Sequence, residues 1–134
     1  MYRVVKGIDF CYGHRLMDYQ GKCMHPHGHN GRVEIELSSE ALDHRGMVAD
    51  FGDIKEVVKK WIDENMDHQM ILQETDPLVP LLQKMGEPIY LMNGNPTAEN
   101  IAREIFNHVS SQGFPVTEIR FWESETSFAV YKHF

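Results

Sequence analysis

The chain has 134 residues, 42% of them apolar and 25% charged, and a net charge of −7 at neutral pH. That suffices for one domain with a modest core, and no run approaches the roughly 20 apolar residues of a membrane span. The thirteen Lys and Arg are scattered, which argues against a nucleic-acid surface, whose affinity comes from neutralising phosphates, and leaves a small molecule or further copies of the chain as the expected partners.

Residues 1–134 read as a single domain. The N-terminal "MYRVVKGIDFCYGHRL" lacks the basic region and long apolar core of a secretory signal, so a cytoplasmic location is expected. Two cysteines make no disulfide framework, and a reducing compartment keeps both as thiols.

Residues 2–10 are rich in β-branched and aromatic side chains, with Tyr2, Val4, Ile8 and Phe10 in one phase, and predict a first strand. "MDYQGKCMHPHGHNG" is turn-rich. In "RVEIEL" Val33, Ile35 and Leu37 alternate with Arg32, Glu34 and Glu36, the pattern of a second strand. "DFGDIKEVVKKWIDENM" carries an apolar stripe of Ile54, Val57, Val58, Trp61 and Ile62, with Asp50 or Asp53 as its cap. Residues 69–94, with Pro77, Pro80 and Pro88, predict loop around one short helix at "PLVPLLQKM". A second long helix follows Asn95 or Thr97, buries Ile101, Ala102, Ile105, Phe106 and Val109, and stops at Gly113. "VTEIRFWE" and "TSFAVYKHF" predict two final strands joined by a tight turn near Ser124 and Glu125.

The expected fold is α+β, order ββααββ: a four-stranded antiparallel sheet with two main helices on one face. Its edges and second face stay uncovered, and "IRFWE" and "SFAVY" carry apolar groups in both phases. Homo-oligomerisation would cover them.

Chemistry concentrates in "KCMHPHGHN". If extended, His27 and His29 point to one side, the usual geometry for two ligands of one ion. His14, beyond the first strand, is the candidate third if hairpin pairing brings it alongside. Three neutral imidazoles with an open position are a catalytic zinc arrangement; an ordinary polar loop is the bland alternative. His25 and His44 read as loop histidines. Cys23 is a fourth ligand, an inert thiol, or a nucleophile or base; Cys11, among strand residues, reads as core or interface. Asp67 and His68 offer a carboxylate-oriented base or a helix end with a surface histidine. Glu123 shares the phase of Ile119 and Phe121, so it is either an inward carboxylate seeking paired donors or a hairpin-end Glu in water.

Taken together, "FCYGHRL", "KCMHPHGHNG", "GMVADFGDIK", "MDHQMIL", "NPTAENIA" and "WESET" resemble, in order, the 6-pyruvoyl-tetrahydropterin synthase and 6-carboxytetrahydropterin synthase family. The resemblance implies the tunnelling fold, in which trimers join their sheets into a barrel and stack in pairs as a homohexamer, with sites at subunit boundaries. It implies Zn2+ on His14, His27 and His29, Cys23 as catalytic thiol with Asp67 and His68, Glu123 as the anchor of the pterin ring, and Thr97 in the ring pocket. The implied reaction converts 7,8-dihydroneopterin triphosphate, losing triphosphate and moving reducing equivalents from side chain to ring without a nicotinamide. The pyruvoyl enzyme stops at a diketone; the carboxy enzyme, of queuosine and other 7-deazapurine routes, goes on to release acetaldehyde and 6-carboxy-5,6,7,8-tetrahydropterin. Three residues between Cys23 and His27 resemble the bacterial carboxy branch. Tyr12 and Leu72 depart from the family pattern, which has a small residue and an asparagine there; they are the sequence support for a non-enzymatic pterin or zinc protein of this fold. Arg15 and Lys22 are candidate triphosphate contacts or solvated charge.

Overall fold

Alternation along the first forty residues builds a long antiparallel hairpin. The structure, a computed structural model, describes residues 1–133. Strands β1 (Tyr2–His14) and β2 (His27–Ser39) pair along their whole length, from Tyr2 opposite Ser39 to His14 opposite His27. Both strands therefore run further than the sequence patterns predict, and the connection shrinks to residues 15–26. A short 3₁₀ turn (Lys22–Met24) lies inside it.

On one face Ile8, Phe10 and Tyr12 meet Val33, Ile35 and Leu37, joined by Ile119 and Phe121 of β5 (Val116–Ser124), and all are buried. The helices cover this face. Helix α1 (Phe51–Ile54), a π turn (Lys55–Lys59) and α2 (Lys60–Asn65) form one continuous run. Asp50, not Asp53, caps it by accepting from the Gly52 N–H at 2.7 Å. Ile54, Val58, Ile62 and Met66 are fully buried at four-residue spacing. Four residues of α-helix advance about 400°, so such a row drifts around the axis; the wider π turn offsets the drift and keeps the row facing the sheet. Helix α4 (Ala98–Ser111) buries the five predicted apolar residues, and its His108 ring stacks on Trp61 at 4.1 Å.

Among the described residues the sheet has six strands, not four. Between α2 and α4 lie β3 (Met70–Gln73), the expected short helix α3 (Leu78–Lys84) and β4 (Ile89–Met92). The order is β4-β3-β1-β2-β5-β6, with β6 (Ser127–Lys132) closing one edge. Strand β3 runs parallel to the end of β1, and β4 runs parallel to β3, so the sheet is mixed. Four-residue apolar runs such as "MILQ" and "IYLM" cannot be told from loop or helix by periodicity. Their partner strand creates them. The final turn falls at Glu125 and Thr126, one residue later than predicted, with Ser124 paired to Ser127.

The sheet's other face is largely ion-paired: Arg32 binds Asp9, and Arg120 reaches Glu34, Glu36 and Glu118. Trp122 packs at a tilt against Phe128, with ring centroids 4.2 Å apart, and donates to Glu34, while Phe128 and Val130 on edge strand β6 are exposed. Among the described residues, no helix is long and apolar enough to cross a membrane.

One ion pair secures the crossing from β1 to α3. Arg15 donates through Nε to the buried Asp76 at 2.8 Å and through its second nitrogen to the other oxygen, and Asp76 also accepts from the Leu78 N–H at 2.8 Å. Arg15 is thus committed within the fold. Its guanidinium holds the Asp76 carboxyl below the usual carboxylate range. A carboxyl with a depressed folded-state pKa stabilises above its unfolded pKa and loses that contribution as pH falls. Asp76→Ala should cost about 2–4 kcal/mol at neutral pH. In urea melts, the gap from wild type should narrow below about pH 4, where the unfolded chain also takes up the proton.

Candidate active site

The hairpin register assembles the first group. Directly opposed residues share a sheet face, so His14 and His27 are neighbours, and His29 follows two pairs inward opposite Tyr12. Ring centroids are 4.6 Å apart for His14 and His27, and 5.0 Å for each other pair. Gly28 and Gly31 do not break the phase that runs on to Val33, Ile35 and Leu37. Gly31 instead makes room: a Cβ there would meet the Phe121 ring at 3.0 Å and the Tyr12 ring at 3.1 Å.

Outer contacts set the tautomers. His14 Nδ1–H donates to the Pro96 carbonyl at 2.7 Å, and His27 Nδ1–H donates to the His25 carbonyl at 2.7 Å. Nε2 of His14, His27 and His29 are all buried without a hydrogen-bond partner. Orphaned buried nitrogens need a cause, and two imidazoles held through Nδ1 with Nε2 left free, beside a third free Nε2, fit the pattern of metal ligands. Burial pushes the pKa of His14 and His29 down, against the opposing pull of Glu123, which favours the neutral, ligating form. His25, read as a bystander, contributes its backbone.

Glu123 is the inward carboxylate. The β5–β6 register slips between Trp122 and Ser124, and such a bulge re-aims a side chain. Glu123 Oε1 lies 3.0 Å from His29 Nε2, outside hydrogen-bonding geometry. Ligating atoms of His14, His27, His29 and Glu123 fall within 4.8 Å of one another. Beside them is a cavity of about 390 Å3 lined by His29, Ala98, Glu99, Glu123 and Phe128. Glu99 was missed in the sequence, although "PTAEN" contains it. Thr97, expected in the pocket, caps α4: its hydroxyl oxygen accepts from the Asn100 N–H at 3.2 Å. Pro96 precedes the cap. Asn95 clamps the loop after His14, exchanging hydrogen bonds with Met17 N–H and C=O at 2.7 Å each.

Tyr12 packs its ring 5.2 Å from His14 and 5.7 Å from His29. Its hydroxyl is buried without a partner, and burial, with Glu123, keeps it protonated. Leu72 is fully buried in β3, which explains its apolar character.

A second group forms on the other side of β1. Adjacent side chains usually diverge, yet His68 Nδ1–H donates to Asp67 Oδ2 at 2.8 Å. His68 has φ +58°, a left-handed conformation that folds the pair together. The thiol beside this pair is Cys11, half-buried and so outside the core, with Sγ 3.4 Å from His68 Nε2. Cys23 belongs to neither group. It is half-buried in the 3₁₀ turn, where its carbonyl accepts from the Leu16 N–H at 2.8 Å.

A family profile for 6-pyruvoyl tetrahydropterin synthase matches residues 3–133. A Rickettsia conorii protein named 6-carboxy-5,6,7,8-tetrahydropterin synthase is 41% identical over 96% of this chain and 98% of its own. One of the same name from Haemophilus influenzae is 35% identical over 98% and 99%. Among solved structures, an uncharacterized protein from Wolinella succinogenes superposes with a TM-score of 0.84 at 27% identity, over 99% of this chain and 98% of that one. The 6-pyruvoyl tetrahydropterin synthase of Caenorhabditis elegans shares the fold, with a TM-score of 0.74 at 21% identity over 99% and 96%. Three converging imidazoles, an inward glutamate and an Asp–His pair thus sit in a chain that belongs to the 6-pyruvoyl tetrahydropterin synthase family.

Proposed function

We propose that the protein is a zinc-dependent lyase that converts 7,8-dihydroneopterin triphosphate to 6-carboxy-5,6,7,8-tetrahydropterin, releasing triphosphate and acetaldehyde, in a queuosine-type 7-deazapurine route. The observation that carries this reading is the set of three unpartnered, buried Nε2 atoms beside Glu123 and an open cavity. The relatives named for the carboxy product favour it over the pyruvoyl one.

His14, His27 and His29 would hold Zn2+, which suits three nitrogen donors with one position left for substrate. When bound it supplies Lewis-acid polarisation of the substrate's side-chain hydroxyls. The protein's own groups do the rest. Glu123, with Glu99 across the cavity, accepts from the ring amino and N–H groups and fixes the pterin. Cys23 and the Asp67–His68 pair take protons from and return them to the side-chain carbons, with Asp67 orienting the imidazole. Burial around Tyr12 and Phe121 excludes water from the histidine side.

Cys23 and His68 fall in different places within one chain, so the relay closes best across two copies. The unpaired edges β4 and β6 and exposed Phe128 and Val130 support a homo-oligomer, read as a hexamer of two trimers. The free thiols suit a reducing cytoplasm.

Purified zinc-loaded protein given the triphosphate substrate should yield the carboxy compound and acetaldehyde; accumulation of the pyruvoyl product alone would transfer it to the sister activity. Cys23→Ala should lower kcat by about 10²–10⁴-fold with zinc stoichiometry unchanged, whereas lost zinc would make Cys23 a ligand. Glu123→Gln should keep zinc and raise KM; a zinc-deficient Glu123→Gln protein would show a closed, four-ligand site instead. Mixed oligomers of Cys23→Ala and His68→Ala chains should regain part of the activity that neither parent has, and no recovery would place the relay within one chain.

A further inference from the structure

Cys11 has no part in the chemistry described so far, yet it is the thiol nearest the Asp67–His68 pair. Its Sγ lies 3.5 Å from His68 Nδ1 and 3.4 Å from Nε2. Because Nδ1–H is given to Asp67, Nε2 keeps its lone pair. A carboxylate behind an imidazole whose far nitrogen is free is how metal-binding histidines are held. Zinc–sulfur and zinc–nitrogen bonds of about 2.3 and 2.0–2.1 Å place two ligands of one tetrahedral ion about 3.5 Å apart. Sγ and Nε2 already stand at that spacing, with Sγ over the ring because Nδ1 is equally near, so binding turns the Cys11 side chain toward the Nε2 lone pair; one ligating atom from each of Cys11, Asp67 and His68 lies within 4.8 Å of the others.

The arrangement does not depend on the side chains alone. The His68 N–H donates to the Cys11 carbonyl at 2.7 Å, and the Cys11 N–H donates to Asp67 Oδ1 at 3.1 Å. An ion can reach it: Cys11 and His68 line a cavity of about 450 Å3 together with Gly13, Met70 and His29, whose ring belongs to the histidine group. The Asp67 carboxylate and a Cys11 thiolate balance a divalent charge, and sulfur with imidazole selects thiophilic metals over magnesium or calcium.

We propose that Cys11 and His68, backed by Asp67, form a second site for a thiophilic divalent metal such as zinc, separate from the three histidines, and that filling it blocks the proton relay. On binding, the Cys11 thiol gives its proton to solvent and a sulfur–metal bond forms, with no change of oxidation state. The blocking half rests on the proposed relay, because the ion occupies the Nε2 lone pair that the relay uses. The binding half stands without it.

Metal-free protein titrated with cobalt(II) tests the site by absorption. The first equivalent should show no sulfur charge transfer, and the second should bring a near-ultraviolet thiolate-to-cobalt band. Cys11→Ser should remove the band and the second equivalent while the first stays; Cys23→Ser should keep both. His68→Gln, at an exposed side chain, should also lose the second equivalent, and Asp67→Asn should weaken it about 10–100-fold. Uptake of a single equivalent by the wild type, or a band lost with Cys23→Ser and kept with Cys11→Ser, overturns the site. With zinc, a second equivalent should suppress turnover in the wild type and not in Cys11→Ser; occupancy without suppression overturns the blocking half. If the chain does not turn over the pterin at all, the cobalt titration still decides the metal site.

Discussion

The pairing of β1 with β2 is the constraint on which the rest depends. Side chains alternate with period two, so a slip of one residue would send every group to the wrong face. In the observed register His14 faces His27 and Tyr12 faces His29, while Ile8 faces Val33. The core and the histidine group are therefore one decision. Burial of Val33, Ile35 and Leu37 under the helices fixes the register, and the register delivers the imidazoles.

A second element holds that delivery in place. "NPTAEN" does four separate structural jobs in six residues. Asn95 clamps the loop after His14, the Pro96 carbonyl orients the His14 ring, Thr97 caps α4, and Asn100 ties back to the Asn95 carbonyl at 2.8 Å. Such contacts restrict the His14 ring in advance, which would limit the ordering cost of binding the proposed ion. In this helix start the Thr97 hydroxyl is taken by the cap, while Ala98 and Glu99 meet the cavity wall.

Legibility in the sequence followed periodicity. Long strands and both main helices show their spacing over many residues, and the stripe from Ile101 to Val109 was readable for that reason. Strands β3 and β4 were not, since four residues give too little period and their stability comes from parallel partners. That His14 would come beside His27 and His29 was legible from the pairing of one hairpin, and the side Glu123 takes from the phase of Ile119 and Phe121, although the bulge at its position was not. Cys11 was not. Its partner His68 sits 57 positions later, on a residue whose left-handed backbone no side-chain pattern announces. Arg15 was open to misreading in the same way, because its partner Asp76 lies in the stretch with the weakest periodic signal.

Strand β1 sets the relation between the two groups. Tyr12 and His14 point to the helix-covered face, and Cys11 between them and Phe10 points to the other. The sheet that brings three imidazoles together thus keeps the Asp67–His68 pair behind it, tied to the same strand by the His68 N–H to Cys11 C=O bond. A chain built this way presents the three imidazoles on one side and the Asp67–His68 pair on the other, both tied to β1. Under the proposed chemistry, each copy would then offer half a relay to a neighbour, and the open edges β4 and β6 supply a physical reason for neighbours to be there. Assembly and catalysis would have the same origin: a strand pairing too rigid to let one chain reach its own base.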